Sequence, residues 1–96
     1  MQYGVRWENR CLAELEEIYG DTETADIAVF TIDWKLAHDP NRYTWELSPD
    51  SDILLTWIRG FRGFPAVCLS FRLVFEEHNR YCLMLRARRS NHPSMS

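Results

Sequence analysis

The residues of this chain whose types and spacing carry the most chemistry are the arginines of its second half. The stretch FRLVFEEHNRYCLMLRARR, residues 71–89, sets Arg72, Arg86, Arg88 and Arg89 into otherwise apolar runs. Arg59 and Arg62 stand just upstream in RGFRGFP, residues 59–65. A guanidinium is planar and permanently charged, and it presents its donors in a fixed fork. It therefore suits bidentate contact with phosphate and stacking on bases. The net charge is only −3, which alone points away from nucleic acid. Its distribution points the other way. Residues 1–52 hold twelve acids against four bases, a balance of −8, and residues 53–96 hold seven bases, all arginine, against two acids, a balance of +5. A split of this kind implies an anionic partner for one face.

Other ionisable groups stand beside the arginines. His92 could act as a general base, because imidazole titrates near neutrality. His78 reads as a turn residue and His38 as a helix-terminal one, suited to the dipole. Glu76 and Glu77 are expected to pair with Arg80 across a turn. Cys11, Cys68 and Cys82 are odd in number and lack CxxC spacing, so they read as core residues rather than a zinc site or a disulfide framework. No metal and no cofactor is implied. Trp34, Trp45 and Trp57 have either packing or base stacking open to them.

The elements that must position these groups follow from periodicity. Ninety-six residues with 46% hydrophobic content make one folded domain, 1–96, with residues 91–96 expected as a flexible tail. No apolar run approaches the roughly 18 residues of a membrane span, and MQYGVRWENR has no apolar signal segment, so a cytoplasmic location is expected. QYGVRW reads as a strand with Tyr3, Val5 and Trp7 on one face. Glu8 to Tyr19 reads as a helix with Cys11, Leu12, Leu15, Ile18 and Tyr19 in one stripe, ended by Gly20. Glu14, Glu16 and Glu17 lie off that stripe and are expected in solvent. Asp21 or Thr22 caps a second helix that stops at His38, before Pro40. Its core stripe is Ala25, Ala28, Val29, Ile32 and Leu36. A second row, Ile27, Phe30 and Trp34, either is buried on another side or meets a partner. Residues 39–52 read as a loop with an extended piece at 43–47. Strands follow at 53–58, 66–76 and 80–88, with a hairpin turn at His78 and Asn79.

Alternation along the last two strands separates their faces. One face receives Val67, Leu69, Phe71, Leu73 and Phe75, then Tyr81, Leu83, Leu85 and Ala87. The other receives Ala66, Cys68, Ser70, Arg72 and Val74, then Cys82, Met84, Arg86 and Arg88. The helices should cover the bulkier face and leave the arginines on the open one. There, either acids such as Glu46 or Asp50 neutralise them, or they await an anion.

The order strand, helix, helix, three strands, with FRLVF followed by LMLRARR, resembles the RelE/ParE superfamily of small bacterial toxins. There a YRLVY- or YRVLY-like strand precedes a hydrophobic strand ending in basic residues. YGVRWENRCLAELEEIY is similar to that family's first strand and helix, and DWKLAHDP to the end of its second helix. The resemblance covers about residues 2–90. It implies an α+β fold: a small antiparallel sheet with two N-terminal helices on one face. It implies the toxin of a type II toxin–antitoxin module, a ribosome-dependent mRNA endonuclease that needs no metal. A gyrase-inhibiting toxin, or a non-catalytic protein-binding module of the same fold, stays open beside it. Arg72, Arg86, Arg88 and His92 would then form the catalytic set, and Arg59, Arg62 and Arg89 would bind RNA. An antitoxin would cover Ile27, Phe30 and Trp34. The chain departs from the RNA-cleaving members in its acidic balance and in having no tyrosine after Tyr81.

Overall fold

The two hydrophobic periods of the chain become two helices and one sheet in the computed structural model, which describes residues 3–40, 44–46 and 51–90. The elements are β1 (Gly4–Trp7), α1 (Asn9–Tyr19), α2 (Thr22–His38), β2 (Trp45–Glu46), β3 (Ile53–Ile58), β4 (Val67–Phe75) and β5 (Arg80–Arg89). α1 ends at Gly20, whose φ of 81° lies in the left-handed region and lets its N–H reach the Glu16 carbonyl. α2 begins at Asp21, whose carboxylate accepts from the Thr24 N–H at 2.7 Å and the Thr24 hydroxyl at 2.8 Å. Glu23 in its first turn and Lys35 and His38 in its last complement the helix dipole.

The strand order is β1-β5-β4-β3-β2. β2 through β5 pair antiparallel, but β1 joins β5 in parallel, so the sheet is mixed and not the antiparallel one expected. β1 and β5 are far apart in sequence and share no hairpin that would force opposite directions. The helices between β1 and the rest provide the long connection that a parallel neighbour requires.

Both helices cover one face. Cys11, Leu15 and Tyr19 of α1 and Ala25, Ala28, Ile32 and Leu36 of α2 meet Val67, Leu69, Phe71, Cys82, Met84 and Ala87 in a single core. Tyr3, Val5 and Trp7 pack against that core, as alternation requires.

β5 departs from simple alternation. Phe71 pairs with Met84, but Ser70 pairs with Arg86, so Leu85 is one residue extra. This bulge reverses the expected faces of the first half of β5. Cys82 and Met84 are fully buried beneath the helices, and Tyr81 and Leu83 take the other side. A shift of one residue exchanges the two faces of a strand. With Met84 in the core, strict alternation would carry Arg86 and Arg88 inward as well. The extra residue returns them to the open side, and re-aiming side chains is a known consequence of bulges.

Candidate nucleic-acid interface

The sheet register arranges the open face in rows. Trp45, Leu55, Ser70 and Arg86 form one row across the sheet, and Trp57, Cys68 and Arg88 form the next. On the other side of the first lie Ile53, Arg72, Leu83 and Arg6. Their sequence neighbours Thr56, Leu69, Phe71 and Ala87 are buried under the helices, which sets these rows on the uncovered side.

Between the first two rows lies a cavity of about 230 Å³ lined by Leu55, Cys68, Ser70, Arg86 and Arg88. At the β3 end of the same rows, Trp45 and Trp57 meet edge to face with ring centroids 4.7 Å apart. An indole pair, a small apolar hollow and two guanidinium groups thus follow one another across four strands.

Acids from the first half of the chain reach two of the arginines. Arg86 makes a bidentate contact with Glu14, Nε donating at 3.1 Å and Nη2 at 2.9 Å. The same carboxylate accepts the Ala87 N–H at 3.1 Å, a donor beyond the end of β1 that would otherwise face outward from the sheet edge. Arg86 holds the Glu14 carboxyl below the usual carboxylate range, with the Ala87 N–H adding to the effect. Arg72 pairs with Asp52, just before β3, and lowers that carboxyl likewise. The neutralising acids are therefore Glu14 and Asp52. Asp50 and the Glu46 side chain, expected in that role, lie outside the described residues. Glu14 was hidden from sequence reasoning because it lies off the apolar stripe of α1. The signal available was the greater length of the last strand than the first, which leaves edge donors for a flanking side chain to satisfy.

Arg88 is exposed and forms no ion pair among the described residues. Arg89 is also exposed, at the end of β5 opposite Val67. Arg59 follows Ile58, which pairs with Val67, so it belongs to the same end of the sheet. Arg62 does not join the others. It occupies a two-residue turn with φ of 51°, followed by Gly63 at 81°, between the mutually bonded Phe61 and Phe64. Those two rings pack against Tyr19 of α1, on the helix-covered side. His92 lies outside the described residues, as does the whole tail 91–96.

Near the hairpin end, Arg6 lies over the Tyr81 ring at 4.0 Å and Arg80 over Tyr3 at 5.0 Å. Glu76 accepts from the Tyr81 hydroxyl at 3.1 Å, and Glu77 lies 4.0 Å from His78. The expected pairing of Glu76 and Glu77 with Arg80 is therefore replaced by aromatic and turn contacts. On α2, Ile27, Phe30 and Trp34 are 41%, 72% and 61% exposed, so the second row is not buried by the domain. The three thiols are free, and burial pushes Cys11 and Cys82 up to about 12 and raises Cys68 as well. Among the described residues, no group of three His, Cys, Asp or Glu side chains could hold a metal ion, and no helix is long and apolar enough to cross a membrane.

In comparisons with known proteins, no family model, no curated protein and no solved structure matches this chain.

Proposed function

We propose that the chain is a cytoplasmic RelE/ParE-type toxin of a bacterial toxin–antitoxin module, and that its open sheet face engages mRNA on the ribosome. The observation that carries this reading is the bulge at Leu85, which turns Arg86 and Arg88 onto the open face beside Arg72. A structure built for stability alone has no need of cations in mid-sheet. The element order, with helices on one face and the hairpin arginines on the other, also supports it.

In the reaction this face would serve, a 2′-hydroxyl attacks the adjacent phosphorus. The hydroxyl proton leaves to a general base, the bond to the 5′-oxygen breaks, and that oxygen takes up a proton. Arg72 and Arg88 would supply positive charge against the charge that builds on the phosphoryl oxygens. Arg86, fixed by Glu14, positions the face. His92 would supply the base.

The exposed Ile27, Phe30 and Trp34 row fits an antitoxin whose apolar helix lies along α2 and whose acidic segment reaches the arginines. The test is induction of the chain in bacteria without that partner. Growth should stop, translation should fall first, and transcripts should carry cuts within codons. Arg72→Ala should relieve the arrest. Normal growth with abundant folded protein would contradict the toxin reading. Intact transcripts beside blocked supercoiling would move the target to gyrase.

A further inference from the structure

We infer that the hollow between Arg86 and Arg88 is a subsite for one unpaired base of single-stranded RNA, with the neighbouring phosphate on Arg88 and the next base stacked on Trp45. The inference rests on the reading of the open face as RNA-facing and adds which part of the RNA each row would hold.

Size argues first. At about 230 Å³ the cavity falls below the roughly 300–1,000 Å³ of whole small-molecule sites. It has no room for a nucleotide cofactor, but it has room for one ring system with the sugar and phosphate outside. Its chemistry argues next. Leu55 and Cys68 make apolar walls, and the Ser70 hydroxyl is the one neutral polar side chain among the lining residues. Such a hollow gains from burying a flat π-surface and offers almost nothing to read a base edge, so binding should tolerate any sequence.

The two guanidinium groups then take different parts. Arg86 is engaged by Glu14 on both its Nε and Nη2, so it walls the cavity. Arg88, exposed and without an ion pair among the described residues, is the cation available to a phosphate. At the other end, Trp57 holds Trp45 edge to face, and Trp45 stays 51% exposed. An indole oriented by one neighbour and open to solvent is a ready stacking platform. An acidic peptide would satisfy Arg88 but would leave the hollow and the indole unused. Duplex nucleic acid keeps its bases in the stack and could not fill the hollow.

A short 2′-O-methyl oligoribonucleotide tests this, because it lacks the 2′-hydroxyl nucleophile and reports binding without cleavage. Two signals are read: quenching of tryptophan fluorescence, and the rate at which Cys68 reacts with a thiol reagent. Cys68 is partly exposed, whereas Cys11 and Cys82 are fully buried, so it should label first. The single strand should quench saturably and slow Cys68 labelling, and a duplex of the same sequence should do neither. Trp45→Ala should weaken binding about tenfold, the scale of one lost base stack. Arg88→Ala should reduce the slope of log affinity against log salt by about 0.7, one phosphate contact on a single strand. Ser70→Phe should fill the hollow and abolish protection.

Undiminished Cys68 labelling at saturating RNA in the wild-type protein overturns the inference, and that readout needs no variant to fold. Equal protection by the duplex also overturns it. Growth arrest without RNA binding would remove this subsite and leave the toxin reading standing. Saturable protection without growth arrest would keep the subsite and remove the toxin.

Discussion

Phe71 and Arg72 are neighbours in β4, yet their side chains answer to different constraints. Phe71 is fully buried with Val67 and Leu69 against α1 and α2. Arg72 stands on the opposite side, exposed and paired with an acid from the segment before β3. On the covered face, apolar burial and close packing decide which residue fits, and any truncation leaves a hole. On the open face, charge and exposure dominate, and exposed ion pairs contribute little to stability. Stability is therefore concentrated on one side of the hairpin, and the cations stand on the other.

The largest expected effect comes from carrying a guanidinium onto the covered face. Met84 is fully buried, two residues before Arg86. Met84→Arg would set an unpaired guanidinium in the core, which is strongly unfavourable, so the variant should show no cooperative thermal transition. A melt close to that of the wild type would mean that the two faces do not differ. Next in size is Phe71→Ala, which should cost about 3–5 kcal/mol in denaturant unfolding, in line with buried aromatic truncations. A loss as small as that of a surface substitution would break the contrast from the core side.

Smaller effects sharpen the contrast at its edges. Glu14 is where the first half of the chain reaches the open face, and the fold lowers its pKa from the ordinary 4.5. A lowered carboxylate contributes stability above its unfolded value, and that contribution is lost as pH falls through the folded one. Glu14→Gln should therefore be less stable than wild type at neutral pH, and the difference should shrink as pH falls below about 4.5. A pH-independent difference would mean that Glu14 acts through packing alone.

Asp33 should show the smallest effect and the opposite sign. Burial raises its carboxyl above the ordinary 3.8, although the Trp7 Nε1–H donates to it at 2.8 Å. The contribution of a raised acid is fully present in acid, below its unfolded value, and is lost as pH rises through the folded one. Asp33→Asn keeps an acceptor for Trp7 and removes the half-buried charge. It should melt slightly above wild type at neutral pH and level with it in acid. A lower melting point at neutral pH would show that the charge itself holds Trp7.

The elements were legible where a single local signal decides them. The stop of α1 at Gly20 and the Asp21 cap of α2 are written in residues with specific backbone or side-chain roles. The face of β4 followed from alternation. The faces of the first half of β5 did not, because YCLML is apolar throughout and carries no polar residue to mark where the phase slips. The parallel direction of β1 is a tertiary outcome with no local signature. The candidate site divides in the same way. Arg72, Arg86 and Arg88 stand out as cations in apolar strands, but the acids that reach them do not. Glu14 and Asp52 are single charges in segments rich in acid, and only the packing of α1 along β5 and the entry into β3 select them. The cavity at Leu55, Cys68 and Ser70 is a product of three strands in register, and no one segment announces it.

Whether the open-face arginines serve an anionic ligand and contribute little to the fold is decided by the double variant Arg72→Ala/Arg88→Ala. The measurement is the growth curve of bacteria expressing it at a protein level matched to wild type, beside its melting midpoint. The midpoint should lie close to that of wild type, and growth should return to that of uninduced cells. Growth arrest that persists with both guanidinium groups removed would contradict the anionic-ligand role.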